Sequence, residues 1–316
     1  MSGPVWAALA GVGFGLFQSF NRKAIRGMDV WQSTFLQVSV SALILLVGAL
    51  ATEDLGAALS ASPGALAAFL AAGLVHFFVG WTLLNASQKR IGATRTGPLL
   101  ATTPLFGTIL AAATLGEVPG RVTIAGMLLI LAGVYITLGA GGTRKAKADA
   151  GPGAALAADV RGGSRLPSTM AGWSRSLPGL GTAACWAISP LFIRQGLRSL
   201  PSPLLGVTLS MLGAAVPQGL VVLARRRLGL SRPMAWDATS MKLFAAALVG
   251  LSTWTRWIAL DLSPVAVVLA LGLLSVPTVM LVAPPLAGRN EELVTLPVWL
   301  GAALVVAGSL LLVLRS

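Results

Sequence analysis

The sequence predicts an all-α polytopic membrane protein with ten transmembrane helices, arranged as two inverted five-helix repeats around a central cavity. The first observation is composition: 55% of the 316 residues are hydrophobic and 10% are charged, against about 25% charged residues in an ordinary soluble domain. The second is a mean hydropathy of +0.83. The third is that the apolar residues gather in runs near the roughly 20 residues that a spanning helix needs. Little chain is left for a soluble domain.

Each apolar run is predicted to be a helix, because an open strand cannot satisfy its backbone hydrogen bonds in hydrocarbon. The regular alternation of polar and apolar residues that marks a barrel strand is absent from these runs. The ten predicted segments are Val5–Phe20, Trp31–Leu50, Ala65–Ser87, Thr96–Leu115, Val122–Gly139, Trp173–Ile193, Leu204–Leu223, Leu243–Leu260, Val265–Ala283 and Val298–Leu314.

One long polar stretch divides these segments into two groups of five. It is rich in Gly, Ala, Ser and Pro and carries the basic run Arg144-Lys145-Ala146-Lys147, a composition typical of a flexible linker. The predicted organisation is therefore a first repeat at 1–140, a linker at 141–172 and a second repeat at 173–316.

Matching residues indicate that the two groups are repeats. Trp81 and Trp254 are as far apart in the sequence as Pro104 and Pro277. The segment Gly126–Gly133 has a counterpart at Gly301–Gly308. The separation of these two segments is two residues greater than that of the tryptophan and proline pairs. Because each repeat has an odd number of helices, the second must enter the membrane upside down. Inverted repeats are typical of transporters and predict a substrate site near the midplane, where the halves meet.

The charges exclude some function classes. The 23 Lys and Arg residues, with a net charge of +13, are scattered over the loops without interleaved aromatics, so we expect contacts with lipid headgroups and no nucleic-acid partner. The single cysteine, Cys185, lies in an apolar run. No intrachain disulfide, metal site or cofactor is expected. The segment Met1–Pro4 lacks a basic region, so the first apolar run is expected to be retained.

The side of the membrane on which the termini lie is left open. Ten spans place both termini on one side. Most Lys and Arg residues fall in the odd-numbered connections, so the positive-inside rule places the termini outside. The resemblance described next implies cytoplasmic termini.

Several short motifs resemble the EamA-like members of the drug/metabolite transporter superfamily. They are Leu115-Gly116-Glu117 before the Gly/Ala-rich fifth helix at Gly126–Gly133, and Pro104 in a fourth helix that follows Ile91-Gly92-Ala93. The second half departs from the pattern, with Asn290-Glu291-Glu292 in place of Leu-Gly-Glu. The resemblance implies a multi-pass carrier of small organic solutes in the bacterial inner membrane, often an exporter.

His76 is the first candidate for chemistry. It is the only histidine and lies near the centre of the third predicted span, where polar groups are costly and often functional. With an ordinary pKa of about 6.5 it could bind substrate or couple transport to protons, and packing against a neighbouring helix is the alternative. The first span contains no acid. Proton exchange through a first-span glutamate, as in the related small multidrug resistance proteins, is therefore not expected.

Aromatic side chains away from the span edges are further candidates for the cavity wall. Flat rings suit a planar or cationic solute, although helix packing is an equal alternative. Phe14 and Gln18 lie one turn apart on the first helix and share a face. The aromatic candidates besides Phe14 are Trp81, Trp186, Trp254 and Trp257.

Three arginines could attract an anionic group, namely Arg95, Arg194 and Arg256. Arg256 lies between two of the candidate tryptophans and is the most suggestive. The alternative for each is a side chain that snorkels to the headgroups.

Glycine and proline mark predicted backbone features. The run Gly11–Gly15 contains the small-residue spacing that lets helices approach closely. The prolines of the fourth and ninth helices loosen the backbone hydrogen bonds there, as static kinks or as sites of bending. These residues are Pro98, Pro104, Pro264 and Pro277.

The predicted function is secondary transport of a small organic metabolite, such as an amino acid or an amphipathic amine, by alternating access. Phosphate-binding and catalytic motifs are absent, so an enzyme is not expected. The alternative is an intramembrane enzyme or lipid-handling protein that uses His76. The expected partners are a small-molecule substrate and membrane lipid. A monomer is sufficient and a dimer possible, since ten helices can enclose a pathway.

Overall fold

The computed structural model describes residues 1–115, 120–148, 168–231, 233–288, 292 and 294–314, and these form helices joined by short turns. A π-helical segment at Gly73–Gly80 joins the fourth and fifth helices. The helices are α1 (Gly3–Ile25), α2 (Val30–Thr52), α3 (Leu55–Leu59), α4 (Pro63–Ala72), α5 (Trp81–Ile91), α6 (Ala93–Leu100), α7 (Thr103–Leu115), α8 (Arg121–Ala148), α9 (Ser168–Ser199), α10 (Pro203–Arg227), α11 (Trp236–Leu262), α12 (Val265–Gly272), α13 (Ser275–Ala287) and α14 (Leu296–Leu314).

Six helical stretches in the described ranges are long and apolar enough to cross a membrane. They are Val30–Thr52, Pro63–Ile91, Ser174–Ser199, Pro203–Arg227, Trp236–Leu262 and Val267–Ala287. Shorter apolar helices lie in α8 and α14. The prediction of an all-α, multi-pass membrane protein is confirmed, whereas the arrangement of ten spans in two repeats stays a prediction. The first helix is long enough but less apolar, because it carries several glycines and a polar C-terminal end.

The predicted fourth and ninth segments are each interrupted near the middle. The fourth is split into α6 and α7 at residues 101–102, and the ninth into α12 and α13 at residues 273–274. Pro104 and Pro277 lie in the first turn after each break, where a missing N–H costs nothing. Pro98 lies inside α6, and Pro264 immediately precedes α12. The two interruptions therefore fall at equivalent places in the two halves.

Side-chain caps account for several helix starts. Asp29 accepts a hydrogen bond from the backbone N–H of Trp31 at the start of α2. Ser202 accepts one from Leu205 at the start of α10. Each cap satisfies a backbone donor that has no partner within its own helix. The short turns between spans are thus encoded locally.

The ends of the predicted linker are helical. The helix α8 continues to Ala148 and α9 begins at Ser168. Both helices therefore extend into the polar stretch assigned to residues 141–172, and the rest of that stretch lies outside the described residues.

The first helix packs along α11 and against α12 and α13. A Cβ atom added to Gly11 would lie 2.5 Å from the carbonyl oxygen of Leu271, and one on Gly15 would lie 2.5 Å from Thr278 Cβ. Only glycine allows backbones to approach this closely. The glycine run of α1 therefore brings the first half against the second.

The fifth predicted helices of the two halves, α8 and α14, pack against each other through glycines. A Cβ atom added to Gly126 would lie 2.9 Å from the carbonyl oxygen of Gly308. One added to Gly133 would lie 2.5 Å from that of Gly301. The earlier glycine of one helix meets the later glycine of the other, so these two helices cross in antiparallel directions.

A buried ion pair links the C-terminal end of α1 to the connection before α14. The Nε atom of Arg22 donates to Oε1 of Glu292 at 2.5 Å. The Glu292 carboxylate also accepts from the backbone N–H of Ala93 at 3.2 Å and of Thr94 at 2.9 Å. Because these are free donors at the N-terminus of α6, Glu292 caps that helix while neutralising Arg22.

Candidate functional site

A pocket lies at the meeting point of the two halves, between α1, the π-helical segment, α9, α11 and α12. About 420 Å³ of space in and around it, part of which is open to solvent, is not occupied by protein atoms. A second space of about 440 Å³ adjoins it and shares Phe14, Trp186 and Arg256. The first pocket is lined by Ala7, Ala10, Gly11, Phe14, His76, Trp186, Ser252, Thr253, Arg256, Val268 and Gly272. Four of the eight residues predicted from the sequence thus share one pocket.

The π-helical segment positions His76. Its extra residue per turn widens the helix at Gly73–Gly80, and such segments are frequent at functional sites. His76 is 4% exposed, and its Nδ1 atom lies 2.7 Å from the hydroxyl oxygen of Ser189 on α9. Within the described chain no hydrogen bond reaches the second ring nitrogen, Nε2, which is therefore available to a ligand in the pocket.

Trp186 forms the aromatic wall of the pocket. Its ring stacks on His76 with centroids 5.2 Å apart and an interplanar angle of 14°. Phe14 meets the Trp186 ring edge-on at 5.1 Å. Because these contacts come from α1, the π-helical segment and α9, the wall requires both halves of the chain.

Arg256 supplies the positive charge of the pocket. It is partly buried on α11 and borders both spaces. In the part of the chain that the structure describes, its guanidinium has neither a hydrogen-bond partner nor an ion-pair partner. Ser252 and Thr253 precede it by one turn and line the same face.

The hydroxyl groups beside Arg256 present lone pairs to the pocket. Ser252 Oγ donates to the carbonyl oxygen of Leu248 at 2.7 Å, and Thr253 Oγ1 donates to that of Val249 at 2.7 Å. Their hydrogens are therefore already used, and the oxygens remain as acceptors. The pocket thus combines a charged donor with neutral acceptors.

The other predicted site residues lie outside this pocket. Trp81 is fully buried and meets Phe77 edge-on at 4.8 Å. Trp257 is fully buried and stacks on Phe69 at 5.9 Å. Trp254 is partly buried at the edge of the apolar core. The matching repeat positions of Trp81 and Trp254 therefore do not bring their rings onto this pocket wall.

Gln18 lies one turn beyond Phe14 on α1, at the edge of a buried polar cluster. Its side-chain oxygen accepts from Gln88 Nε2 at 3.4 Å, while its own Nε2 is buried without a partner. Of the two other arginines, Arg194 donates to the carbonyl oxygen of Ser263 at 3.1 Å. Arg95 lies on α6, and neither of these arginines lines the pocket.

The centre of that polar cluster is Lys242, which the sequence analysis missed. It is fully buried and donates to the side-chain oxygens of Asn21, Gln37 at 2.6 Å and Asn85 at 3.4 Å. Asn21 also donates to Gln88 at 2.6 Å. The cluster joins α1, α2, α5 and α11. The helix α11 begins six residues before Lys242, so the lysine lies within the helix, and its ammonium group is inside the bundle. An earlier predicted start of this helix would have identified Lys242 as a candidate.

The described side chains do not form an obvious catalytic or metal centre. His, Cys, Asp and Glu do not gather in groups of three within the described ranges. Ser189 contacts His76 but is fully buried and does not line the pocket. A nucleophile must reach its substrate and needs an oriented base. The described lining offers a charged donor, neutral acceptors and an aromatic wall, groups that can bind a solute.

The comparisons with known proteins agree with this architecture. Residues 1–139 match the model of the EamA-like transporter family. Among solved structures, one described only as "Crystal structure of protein" has a TM-score of 0.60 and 19% identity, over 96% of this chain and 95% of that chain. At that identity the likeness extends the fold to the second half and says nothing of function. A search of curated proteins finds no similar sequence.

The family match and the helix lengths both describe a membrane protein. The family match covers the half that contains Phe14 and His76, and the apolar helices are of membrane-spanning length. Residues 1–139 are therefore similar to the EamA-like transporter family, and the chain is a multi-pass membrane protein.

Proposed function

We propose that this protein is a secondary transporter that exports a small organic metabolite, such as an amino acid or an amphipathic amine, across the bacterial inner membrane by alternating access. The observation that carries the proposal is the pocket between the halves, where Phe14 and His76 of the first half face Trp186 and Arg256 of the second. A site built from both halves changes its accessibility when one half moves against the other.

The contacts between the halves support an inverted-repeat arrangement of ten spans. Gly126 corresponds to Gly301 in the repeat, and Gly133 to Gly308. The contact of Gly126 with Gly308 therefore maps onto that of Gly301 with Gly133. Such an exchange is what a two-fold relation produces. Because the two helices cross in antiparallel directions, that axis lies across them, as inverted topology requires.

The packing on either side of the pocket supports a gated pathway. Towards the C-terminal end of α1, the Lys242 cluster and the Arg22–Glu292 ion pair join both halves. These buried polar contacts close the bundle on that side. The interrupted helices α6–α7 and α12–α13 lie beside the adjoining space. A break in the backbone ladder is a natural place for a helix to bend.

The test is transport by the purified protein in proteoliposomes. Labelled leucine, phenylalanine, lysine, 3-methylbutylamine, phenethylamine and cadaverine are offered with and without a pH gradient. We expect uptake of at least one compound above that of protein-free liposomes. We also expect His76→Ala to slow that uptake by about tenfold, because it removes a polar group and a stacked ring from the pocket.

The pH gradient separates two mechanisms. Accumulation that the gradient drives and that His76→Ala abolishes makes His76 the coupling residue. Equilibration that ignores the gradient indicates a facilitator and assigns His76 to binding. The variant Arg198→Gln, at an exposed position outside the pocket, is the control. Absence of uptake for every compound by correctly folded protein overturns the proposal.

A further inference from the structure

We infer that the transported solute carries a carboxylate, that Arg256 is its counter-ion, and that simple amines are not substrates. The inference rests on the proposed function and narrows it from two substrate classes to one. It is drawn from the charges and hydrogen bonds around the pocket.

The first step is the unpaired charge. A guanidinium in a membrane protein interior is costly unless an anion or several acceptors surround it. Arg256 has no such partner among the described residues, and the lining contains no acid. Asp261, the next acid on α11, is exposed. A negatively charged ligand is the partner that this arrangement lacks.

The second step is the contrast between Arg256 and the two cations that are buried, Arg22 and Lys242. Arg22 is neutralised by Glu292, and Lys242 has three amide oxygens around its ammonium group. Both have acceptors supplied by the protein. Of these three cations, Arg256 lines the pocket between the halves. The described residues supply acceptors to Arg22 and Lys242 but none to Arg256. A ligand that supplies an acceptor would therefore fit beside Arg256.

The third step excludes a plain amine. The side-chain acceptors in the lining are the hydroxyl oxygens of Ser252 and Thr253 and, in the neutral imidazole, a ring nitrogen of His76, and none of them carries a formal charge. An ammonium ion would meet no counter-ion there and would be repelled by Arg256. An amino acid avoids this cost, because its carboxylate pairs with Arg256 while its ammonium group donates to the hydroxyl oxygens.

The remaining wall indicates an apolar body for the solute. Phe14, Trp186 and Val268 add apolar surface to the lining of the pocket. Burial of apolar surface against such rings adds binding free energy without a charge requirement. The solute is therefore a compact carboxylate with an apolar side.

The experiment uses matched compounds that differ in one group. Leucine and phenylalanine are compared with their decarboxylation products 3-methylbutylamine and phenethylamine, and with 4-methylpentanoate and 3-phenylpropanoate, which lack the amine. We expect uptake of carboxylates and none of the amines. If the amine-free acids are transported at the same rate as the amino acids, the site recognises only the carboxylate. If they are transported more slowly, the hydroxyl groups also bind the ammonium group. Both results support the inference.

Variants of Arg256 supply the second arm. We expect Arg256→Gln to reduce carboxylate uptake by about tenfold or more, since hydrogen bonds to charged groups contribute most of such a contact. Arg256→Lys should retain part of it, because the charge stays while the forked geometry is lost. The control Arg198→Gln, which removes the same charge from an exposed site, should match wild type.

Thermal unfolding of the wild-type protein in detergent tests the inference without any variant. The carboxylates at millimolar concentration should raise the unfolding midpoint, and the amines should not. Equal uptake of amines and amino acids, or unchanged carboxylate uptake by folded Arg256→Gln, overturns the inference while leaving the transporter function intact. Selective stabilisation by carboxylates without any uptake overturns the transporter function and retains the site.

Discussion

At the scale of single residues, two buried cations and one partly buried cation have three different surroundings. Arg22 has a carboxylate, Lys242 has amide oxygens, and Arg256 faces the pocket. A buried charge persists only where its surroundings replace the water that it has lost. The first two cations therefore stabilise contacts between helices, and the third is left for a ligand.

The importance of the Arg22–Glu292 pair can be measured with Glu292→Gln. The change keeps the shape of the side chain, leaves the Arg22 charge buried without its carboxylate and weakens the cap of α6. Removing one partner of a buried pair costs about 3–5 kcal/mol. We expect the free energy of unfolding in detergent to fall by that order.

A matched variant controls for the loss of an acid. Asp261→Asn neutralises an exposed carboxylate at the end of α11 and should change the unfolding free energy by no more than about 0.5 kcal/mol. Equal effects of the two substitutions would contradict the role given to Glu292.

At the scale of elements, glycines decide how closely the helices of the two halves approach. The α8–α14 crossing has almost no space for a side chain at Gly133, where a Cβ atom would lie 2.5 Å from a backbone oxygen and 2.7 Å from Val305 Cγ2. In contrast, a Cβ atom on Gly107 of α7 would meet no heavy atom within 4 Å. The same substitution at these two positions therefore distinguishes the effect of helix propensity on stability from the effect of a contact between helices.

We expect Gly133→Ala to destabilise the protein and Gly107→Ala to stabilise it. The first forces two backbones apart, at a cost of about 1–3 kcal/mol. The second only removes the conformational freedom of a helical glycine, a gain of about 0.5–1 kcal/mol. The measurement is the midpoint of thermal unfolding in detergent for both variants. A stabilised Gly133→Ala would show that the helices are not in close contact there.

At the scale of the whole molecule, the packing has a two-fold pattern. The first helix packs along α11, the third predicted span of the second half. The corresponding helix of the second half, α9, packs along α4, the π-helical segment and α5, which form the third predicted span of the first half. The equivalent breaks of the fourth and ninth segments follow the same relation. The predicted five spans per half would require the two halves to have opposite orientations.

Reporter fusions test that orientation. A reporter active on only one side of the membrane is fused to the N-terminus, inserted between Ala148 and Ser168, or fused to the C-terminus. Five spans on each side of the insertion predict that the two termini give the same signal and the insertion the opposite one. An insertion that reports the side of the termini would exclude five spans per half. The terminal signal also decides between the two topologies that the charge count and the resemblance imply.

Much of the fold was predictable from the sequence because a bilayer allows few backbone structures for an apolar segment. A run of about 20 apolar residues must be helical to satisfy its backbone in hydrocarbon, so each predicted segment contains helix in the described residues. Repeated landmarks such as Trp81 with Trp254 and Pro104 with Pro277 were equally visible. His76, Phe14, Trp186 and Arg256 were recognisable because polar and aromatic groups inside apolar runs are conspicuous.

Only the tertiary structure decided which of these side chains share a space and which charges are neutralised. Trp81 and Trp257 were as plausible as Trp186, yet they lie in the apolar core. Lys242 immediately precedes the predicted segment Leu243–Leu260, and the partner of Arg22 lies 270 residues away in the connection before α14. Helix formation depends on neighbouring residues along the chain, whereas a pocket and an ion pair depend on which helix faces meet. The sequence by itself therefore determined the helices and their membrane environment, and their packing alone decided the site.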